Sequence, residues 1–176
     1  IGQSFHIAGE NPYSRTDDLV NVGEESGLED DRSDVVASLA ATTASGLALN
    51  TQARFDKENL AIKRADTTIS FSNAKGSVSA NYTHIAEQPH YSFDSNRQQI
   101  GFSTSINIGE HWKVFGNAQY DIDSNLMIGD GIGVSYHDEC FTFALSFNES
   151  RSSSPNTQDS QSISFKIGLR TIGDYE

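Results

Sequence analysis

Apolar and polar residues alternate with a period of two along most of this chain. The clearest example is segment 161–170, where Ile163, Phe165, Ile167 and Leu169 occupy every second position. A period of two places the large apolar side chains on one face of a β-strand. The same alternation recurs upstream and predicts about ten strands in sequential order. The predicted strands cover residues 1–7, 35–42, 47–55, 60–71, 77–83, 99–108, 112–122, 126–136, 141–148 and 161–170.

Two of these segments are irregular. In 60–71, Arg64 and Asp66 fall on the same face as two apolar residues, so this strand has the weakest pattern. In 126–136 the alternation is interrupted by Asp130. The predicted apolar face of that strand comprises Leu126, Ile128, Ile132, Val134 and Tyr136.

Strands of this kind are compatible with two architectures, a soluble β-sandwich and a transmembrane β-barrel. In a soluble β-sandwich the apolar faces meet inside and the polar faces contact water. In a transmembrane barrel the apolar faces contact lipid and the polar faces line the lumen. The opposing faces here consist mainly of Ser, Thr, Asn, Gln and Gly rather than Lys and Glu, which is typical of a lumen.

The connections between the predicted strands also favour the barrel. Short turns are expected at 44–46, 73–76, 109–111 and 137–139, and the long connections 9–33, 87–96 and 150–160 lie at the other end. Connections 56–59 and 123–125 also lie at that end but are short. Outer-membrane barrels have short periplasmic turns and longer external loops. We therefore expect an all-β fold, an antiparallel up-and-down transmembrane β-barrel portion holding about ten strands of a larger barrel. Loop 9–33 is expected to be extracellular.

Composition excludes several classes of protein. The 176 residues carry 24 acidic and 12 basic side chains, a formal net charge of −12, so a nucleic-acid-binding module is not expected. No apolar run approaches the roughly 18 residues of a membrane-spanning helix. The chain begins at Ile1, its single methionine is Met127 and no signal peptide is visible, so we interpret it as a mature chain or an excerpt.

Segment 9–34 is strongly acidic, with nine carboxylates against Arg15 and Arg32. Carboxylate oxygens suit divalent cations, but the spacing fits no EF-hand loop. A solvated external loop is the preferred interpretation, with no metal site. The carboxylates are Glu10, Asp17, Asp18, Glu24, Glu25, Glu29, Asp30, Asp31 and Asp34.

Catalytic motifs are absent from the sequence. There is no G-x-S-x-G nucleophile elbow, and segment 129–133 (GDGIG) is not a phosphate loop because it lies inside a predicted strand. Its glycines are expected to permit strand bending or close packing in the lumen. We expect neither an enzyme nor a cofactor. Four aromatic residues are candidates for interfacial girdles: Trp112, Tyr120, Tyr136 and Tyr82.

Several separated blocks resemble the lipopolysaccharide-assembly outer-membrane protein family (LptD), in its alphaproteobacterial form. The blocks are 5–12 (FHIAGENP), 17–23 (DDLVNVG), 27–34 (GLEDDRSD), 138–145 (DECFTFAL) and 168–174 (GLRTIGD). The resemblance covers essentially the whole chain, in order. It implies that residues 1–176 are the C-terminal segment of a barrel of more than twenty strands in the cell outer membrane of a Gram-negative bacterium.

The family resemblance also implies a function. Lipopolysaccharide would arrive through periplasmic bridge proteins and a jellyroll domain absent from this chain, and leave through a lateral seam between the first and last strands. A plug lipoprotein of the LptE type would fill the lumen. The seam's last strand would be 160–171, and its candidate residues are Ser162, Ile163, Ser164, Phe165, Lys166, Ile167, Gly168, Leu169 and Arg170.

The single cysteine, Cys140, has two interpretations. Taken alone, it is a free thiol and a small apolar filler. The resemblance instead implies an interdomain disulfide with a cysteine outside this chain, in an oxidising periplasm.

Lys166 and Arg170 are expected on the inner face of the last strand, where they would contact either lipopolysaccharide phosphates or the plug. Two alternatives to the family function remain open at this point: a small stand-alone outer-membrane channel and a soluble β-sandwich binding module.

Overall fold

The computed structural model describes residues 1–14, 25–152 and 158–169, which form nine β-strands and two three-residue 3-10 helices. The strands are β1 (Val35–Thr42), β2 (Leu47–Phe55), β3 (Ile62–Asn73), β4 (Gly76–Ile85), β5 (Arg97–Ile108), β6 (Trp112–Asp121), β7 (Leu126–His137), β8 (Phe141–Ser150) and β9 (Ser160–Leu169). The helices, Pro12–Ser14 and Pro89–Tyr91, precede β1 and β5. Within the described residues, no helix has the length and apolar character needed to span a membrane.

All nine strands belong to one sheet in the order β1 to β9, so each strand pairs with its neighbours in the sequence. The ladders from β5 to β9 are antiparallel throughout. This confirms the predicted all-β, up-and-down antiparallel fold, which is consistent with a portion of a barrel. A sandwich needs two packed sheets, whereas the described strands form a single sheet.

The segment predicted as the first of ten strands forms only isolated bridges, Gly2–Val36 and Phe5–Arg32. Gly2 and Val36 exchange two backbone hydrogen bonds of 2.8 and 2.9 Å. Strand pairs are stabilised mainly by side-chain contacts across the ladder. Ile1 is fully exposed and Ile7 is 93% exposed, so these contacts are missing here.

The connections after β1, β3, β5 and β7 are all short, as predicted, and cover residues 43–46, 74–75, 109–111 and 138–140. Those after β2, β4, β6 and β8 cover residues 56–61, 86–96, 122–125 and 151–159. The second set includes the two longest connections, 86–96 and 151–159, and also the four-residue connection 122–125.

The sheet from β5 to β9 has two chemically different faces. Directly opposed residues share a face, so the pairing of the strands assigns each residue to one of them. The apolar face comprises the even positions 100–108, 112–120 and 130–136 and the odd positions 141–149 and 161–169. The polar face comprises the odd positions 99–107, 113–121 and 129–137 and the even positions 142–150 and 160–168. Valine, isoleucine, leucine and aromatic residues dominate the first face, and serine, asparagine and glycine the second.

A β-bulge interrupts the β6–β7 ladder. Gln119 lies opposite Gly129, but Tyr120 lies opposite Met127, which leaves one extra residue in β7. Leu126 therefore lies opposite Asp121, on the polar face. The prediction that placed Leu126 on the apolar face is wrong, because a one-residue shift moves a side chain to the other face.

No hydrophobic side chain is buried anywhere in the three described ranges. Leu169 is 79% exposed and Ile163 is 75% exposed, although both belong to the apolar face. A soluble domain is stabilised chiefly by removing such surface from water. A contiguous exposed apolar face is typical of a surface that contacts lipid or another protein.

Contacts within the chain separate it into two compact units. The first contains residues 1–41, 49–68 and 82–98, and the second contains 42–48, 69–81 and 99–176. The first unit contains the ion pairs Arg54–Asp34 and Lys57–Asp30, and the second contains the β5–β9 ladders.

Candidate functional site at the terminal strand and the Cys140 turn

The predicted terminal strand is present as β9. Its apolar residues Ile163, Phe165, Ile167 and Leu169 lie on the apolar face, and Ser162, Ser164, Lys166 and Gly168 lie on the polar face. Arg170 and Thr171, which were also assigned to this strand, lie outside the described residues. β9 ends the strand order and pairs only with β8 in the described part of the chain.

Exposure distinguishes β9 from the strand beside it. Phe165 is 60% exposed, whereas the directly opposed Leu145 is 40% exposed. The same difference separates Ile163 at 75% from its partner Phe147 at 38%. Because β9 pairs only with β8 among the described residues, its other edge has no strand partner there, and such an edge is a template for pairing with another strand.

Close packing joins β8 to β9 in the half of their ladder that begins at the Phe141–Leu169 pair. The rings of Phe143 and Phe165 meet edge to face with centroids 5.2 Å apart. The Thr142 hydroxyl donates a 3.2 Å hydrogen bond to the Gly168 carbonyl oxygen. A Cβ at position 168 would lie 2.4 Å from Thr142 Oγ1, so this approach depends on glycine.

Cys140 lies in the short turn between β7 and β8, immediately before Phe141. Its thiol is free and exposed. The Asp138 carboxylate accepts hydrogen bonds from the backbone N–H groups of Cys140 at 2.9 Å and Phe141 at 2.7 Å. These bonds, assisted by the Tyr136 hydroxyl at 3.1 Å, hold the pKa of Asp138 below its usual value. The turn thus presents the thiol outward on a fixed backbone.

Aromatic residues cluster beside this turn on the apolar face. The rings of Trp112 and Tyr136 are 5.0 Å apart, and His111 lies 5.6 Å from Tyr136. Of the four candidate girdle residues, these contacts bring together only Trp112 and Tyr136. Tyr120 bonds to Asn125 at the opposite end of β6, and Tyr82 donates a 2.8 Å hydrogen bond to Gln98 in the first unit.

An ionic cluster lies on the apolar face where β7 and β8 approach the long connections. Asp130 is directly opposite Glu149. Arg151 pairs with Asp130 through Nη1 and with Glu149 through Nη2, the latter at 2.7 Å. The sequence did not predict this cluster. Its one sign in the sequence is Asp130, which interrupts the apolar positions of β7.

The acidic segment before β1 is partly neutralised by basic residues of the first unit. Asp34 is only 8% exposed, and its Oδ2 lies 3.5 Å from Arg54 Nε. Lys57 pairs with Asp30, and the amide of Asn11 donates hydrogen bonds to the carbonyls of this segment. Residues 28–34 of the segment are therefore held by contacts with Asn11, β2 and the β2–β3 connection rather than wholly solvated. Four of its predicted charged residues lie outside the described residues: Arg15, Asp17, Asp18 and Glu24.

Glycines in β7 permit close packing, as expected. A Cβ at Gly133 would lie 2.4 Å from the ring of Phe115 on the polar face. Within the described ranges, no group of three or more His, Cys, Asp or Glu side chains is arranged to hold a metal ion.

Comparison with known proteins matches this chain to one family. A family model described as LptD, LPS transport system D, matches residues 1–112. A curated protein named LPS-assembly protein LptD, from Aliivibrio fischeri (strain ATCC 700601 / ES114), is 22% identical over 134 residues. That match covers 70% of this chain and 16% of the relative, so the chain spans a small part of the relative's length.

Proposed function

This chain belongs to the LptD family, and from that premise we propose that it is the C-terminal part of an outer-membrane barrel that assembles lipopolysaccharide at the cell surface. It would act as one segment of a longer protein. The proposed step is insertion of lipopolysaccharide into the outer leaflet through a lateral seam at β9.

The observation that carries this proposal is the unburied apolar face. The polar side of the sheet is rich in serine, asparagine and glycine, and its apolar side has no packing partner among the described residues. These two sides match the two environments of an outer-membrane barrel. Lipid would cover the apolar face, and closure of the barrel by strands outside this chain would satisfy the free backbone groups at the edges.

The two faces of β9 suit passage of an amphiphile. Sugars would travel along the polar face that contains Ser162 and Ser164, while acyl chains would leave past Ile163 and Phe165. A seam at the free edge of β9 would open by parting backbone hydrogen bonds to a first strand outside this chain. No bond of the lipid is made or broken, so we propose a transport protein rather than an enzyme.

Cys140 would form a disulfide with a cysteine in an N-terminal domain outside this chain. Its exposure and its place in a short turn leave it accessible to a partner thiol. Such a turn would face the periplasm, where disulfides persist. We also propose a plug lipoprotein of the LptE type in the lumen and periplasmic bridge proteins as partners.

The intact gene product from native membranes tests this proposal. Non-reducing electrophoresis and mass spectrometry should find a much longer polypeptide in which Cys140 is bridged to an N-terminal cysteine. A photoreactive residue at Ser164 should crosslink to lipopolysaccharide in cells. A mature chain of about this length with Cys140 free, and no lipid crosslink, would instead support a stand-alone barrel.

A further inference from the structure

We propose that Lys113 and Lys166 form an anion-binding site on the polar face, beside the short turns, that takes a phosphorylated lipid headgroup. This inference rests on the proposed function and specifies where that function would require charge recognition.

Register places the two lysines in one row across four strands. Lys113 lies opposite Ser135, Ser135 opposite Ala144, and Ala144 opposite Lys166. Adjacent strands are about 4.8 Å apart, so the two lysine Cα atoms are separated by about 14 Å. Each lysine has a flexible four-carbon stem, which allows its ammonium group to turn toward the centre of the row.

The residues between the lysines leave room for a ligand. Ser135 and Ala144 have small side chains, and both line a cavity of about 660 Å³ that Lys113 and Lys166 also line. The cavity is only partly enclosed, so a bound group could enter and leave. Asn107 and Thr142 add an amide and a hydroxyl to its wall.

The charge of this site is not matched by nearby carboxylates. Neither Lys113 nor Lys166 forms an ion pair within the described part of the chain. Among the cavity-lining residues, Glu110 alone carries a carboxylate, and it lies in the β5–β6 turn. The site therefore has excess positive charge in a chain whose formal net charge is −12.

This chemistry identifies the class of ligand. Ammonium groups bind phosphate oxygens through short charge-assisted hydrogen bonds. Hydroxyl and amide groups beside them can hydrogen-bond sugar hydroxyls. A sugar phosphate on a lipid satisfies both sets of groups, and free inorganic phosphate shares only the first.

Photocrosslinking of the full-length protein with its native partners tests the site. A photoreactive residue replaces Ser135 in the row, or Ser164 on the same face, and the probes are purified lipopolysaccharide and the same lipid after phosphate removal. We expect the K113Q/K166Q variant to lose roughly tenfold in crosslinking at position 135. Removing the lipid phosphates should have the same effect on the otherwise unaltered protein.

Lys75→Gln is the matched control, because Lys75 is an exposed lysine in another short turn and does not line the cavity. It should crosslink at position 135 as the unsubstituted protein does. Heat-modifiable migration on gels confirms that each variant is folded.

Three results would overturn the site. Undiminished crosslinking at position 135 in K113Q/K166Q, with strong crosslinking at 164, would refute it and leave the proposed function intact. Competition by inorganic phosphate as effective as that by lipopolysaccharide would assign the lysines to free phosphate. Absence of crosslinks at both positions without any lysine substitution would contradict the proposed function itself.

Discussion

Asp130 and Glu149 lie directly opposite each other on neighbouring strands of the apolar face, and Arg151 binds both carboxylates. Like charges in directly opposed positions destabilise a sheet. The arginine converts this repulsion into a bridged pair at the end of the β7–β8 ladder. The cluster marks the point where the apolar face gives way to charged groups beside the long connections.

Removal of the bridging arginine should weaken this ladder. For Arg151→Gln we expect the free energy of unfolding to fall, because two opposed carboxylates lose their counterion. Urea-dependent unfolding of the full-length protein in detergent measures the change. Asp130→Asn in the Arg151→Gln background should recover much of the loss, since it removes the repulsion. An unfolding midpoint unchanged by Arg151→Gln would contradict a stabilising role for the bridge.

Substitution of Gly133 should disturb the polar face. For Gly133→Val we expect destabilisation of about 1–3 kcal/mol, because the new Cβ would overlap the Phe115 ring. Ser135→Val, two residues along the same face, is the control and should cost less. Combining Phe115→Ala with Gly133→Val should restore part of the unfolding midpoint. Equal midpoints for the two valine variants would show that the contact does not limit packing.

The Asp138 turn should govern access to Cys140. Asp138→Ala removes the acceptor for two backbone N–H groups, so the turn should loosen and the proposed Cys140 disulfide should form less completely. Asp138→Asn retains one side-chain oxygen and should behave nearly as the native residue. Non-reducing gels of the full-length protein measure the oxidised fraction. Equal oxidation of Cys140 in Asp138→Ala and Asp138→Asn would show that the turn does not control formation of the disulfide.

Acid should selectively weaken the β2–β3 connection. Backbone N–H groups of Glu58 and Asn59, with help from Lys63, lower the pKa of Asp56 below 3.8. The stabilisation is therefore present at neutral pH and is lost as the pH falls from about 3.8 through the lower pKa of the folded state. Asp56→Asn should lose less stability between pH 7 and pH 3, as measured by urea unfolding. Identical pH profiles for the native protein and Asp56→Asn would contradict this assignment.

Weakening the β8–β9 ladder should reduce lipopolysaccharide export. Gly168→Val would place a side chain against Thr142 Oγ1, and the proposed seam strand would lose its alignment. Surface labelling of newly made lipopolysaccharide measures export, and Ser103→Val, on the same face of the sheet but in β5, serves as the control. Normal export by a folded Gly168→Val protein would refute the assignment of β9 to the seam.

Local pattern was sufficient to predict most of the fold. Period-two alternation placed eight strands close to their observed positions and also predicted β3, the least regular one, since side-chain alternation follows directly from strand geometry. The difficult region of β3 contains the Arg64–Asp66 ion pair, with Arg64 Nε 2.7 Å from Asp66 Oδ2. Paired charged residues of this kind interrupt the alternation of apolar and polar residues without preventing strand formation.

The sequence by itself determined the strand order, the short turns after β1, β3, β5 and β7, the two faces of β9 and the position of Cys140 in a turn. Each of these depends on residues close together in the chain. Only the tertiary structure decided which face of the sheet Leu126 lies on, because a bulge depends on how two strands pair. It also decided the Asp130–Glu149–Arg151 bridge and the alignment of Lys113 with Lys166. Those relationships depend on register between strands, which combines residues that no local pattern connects.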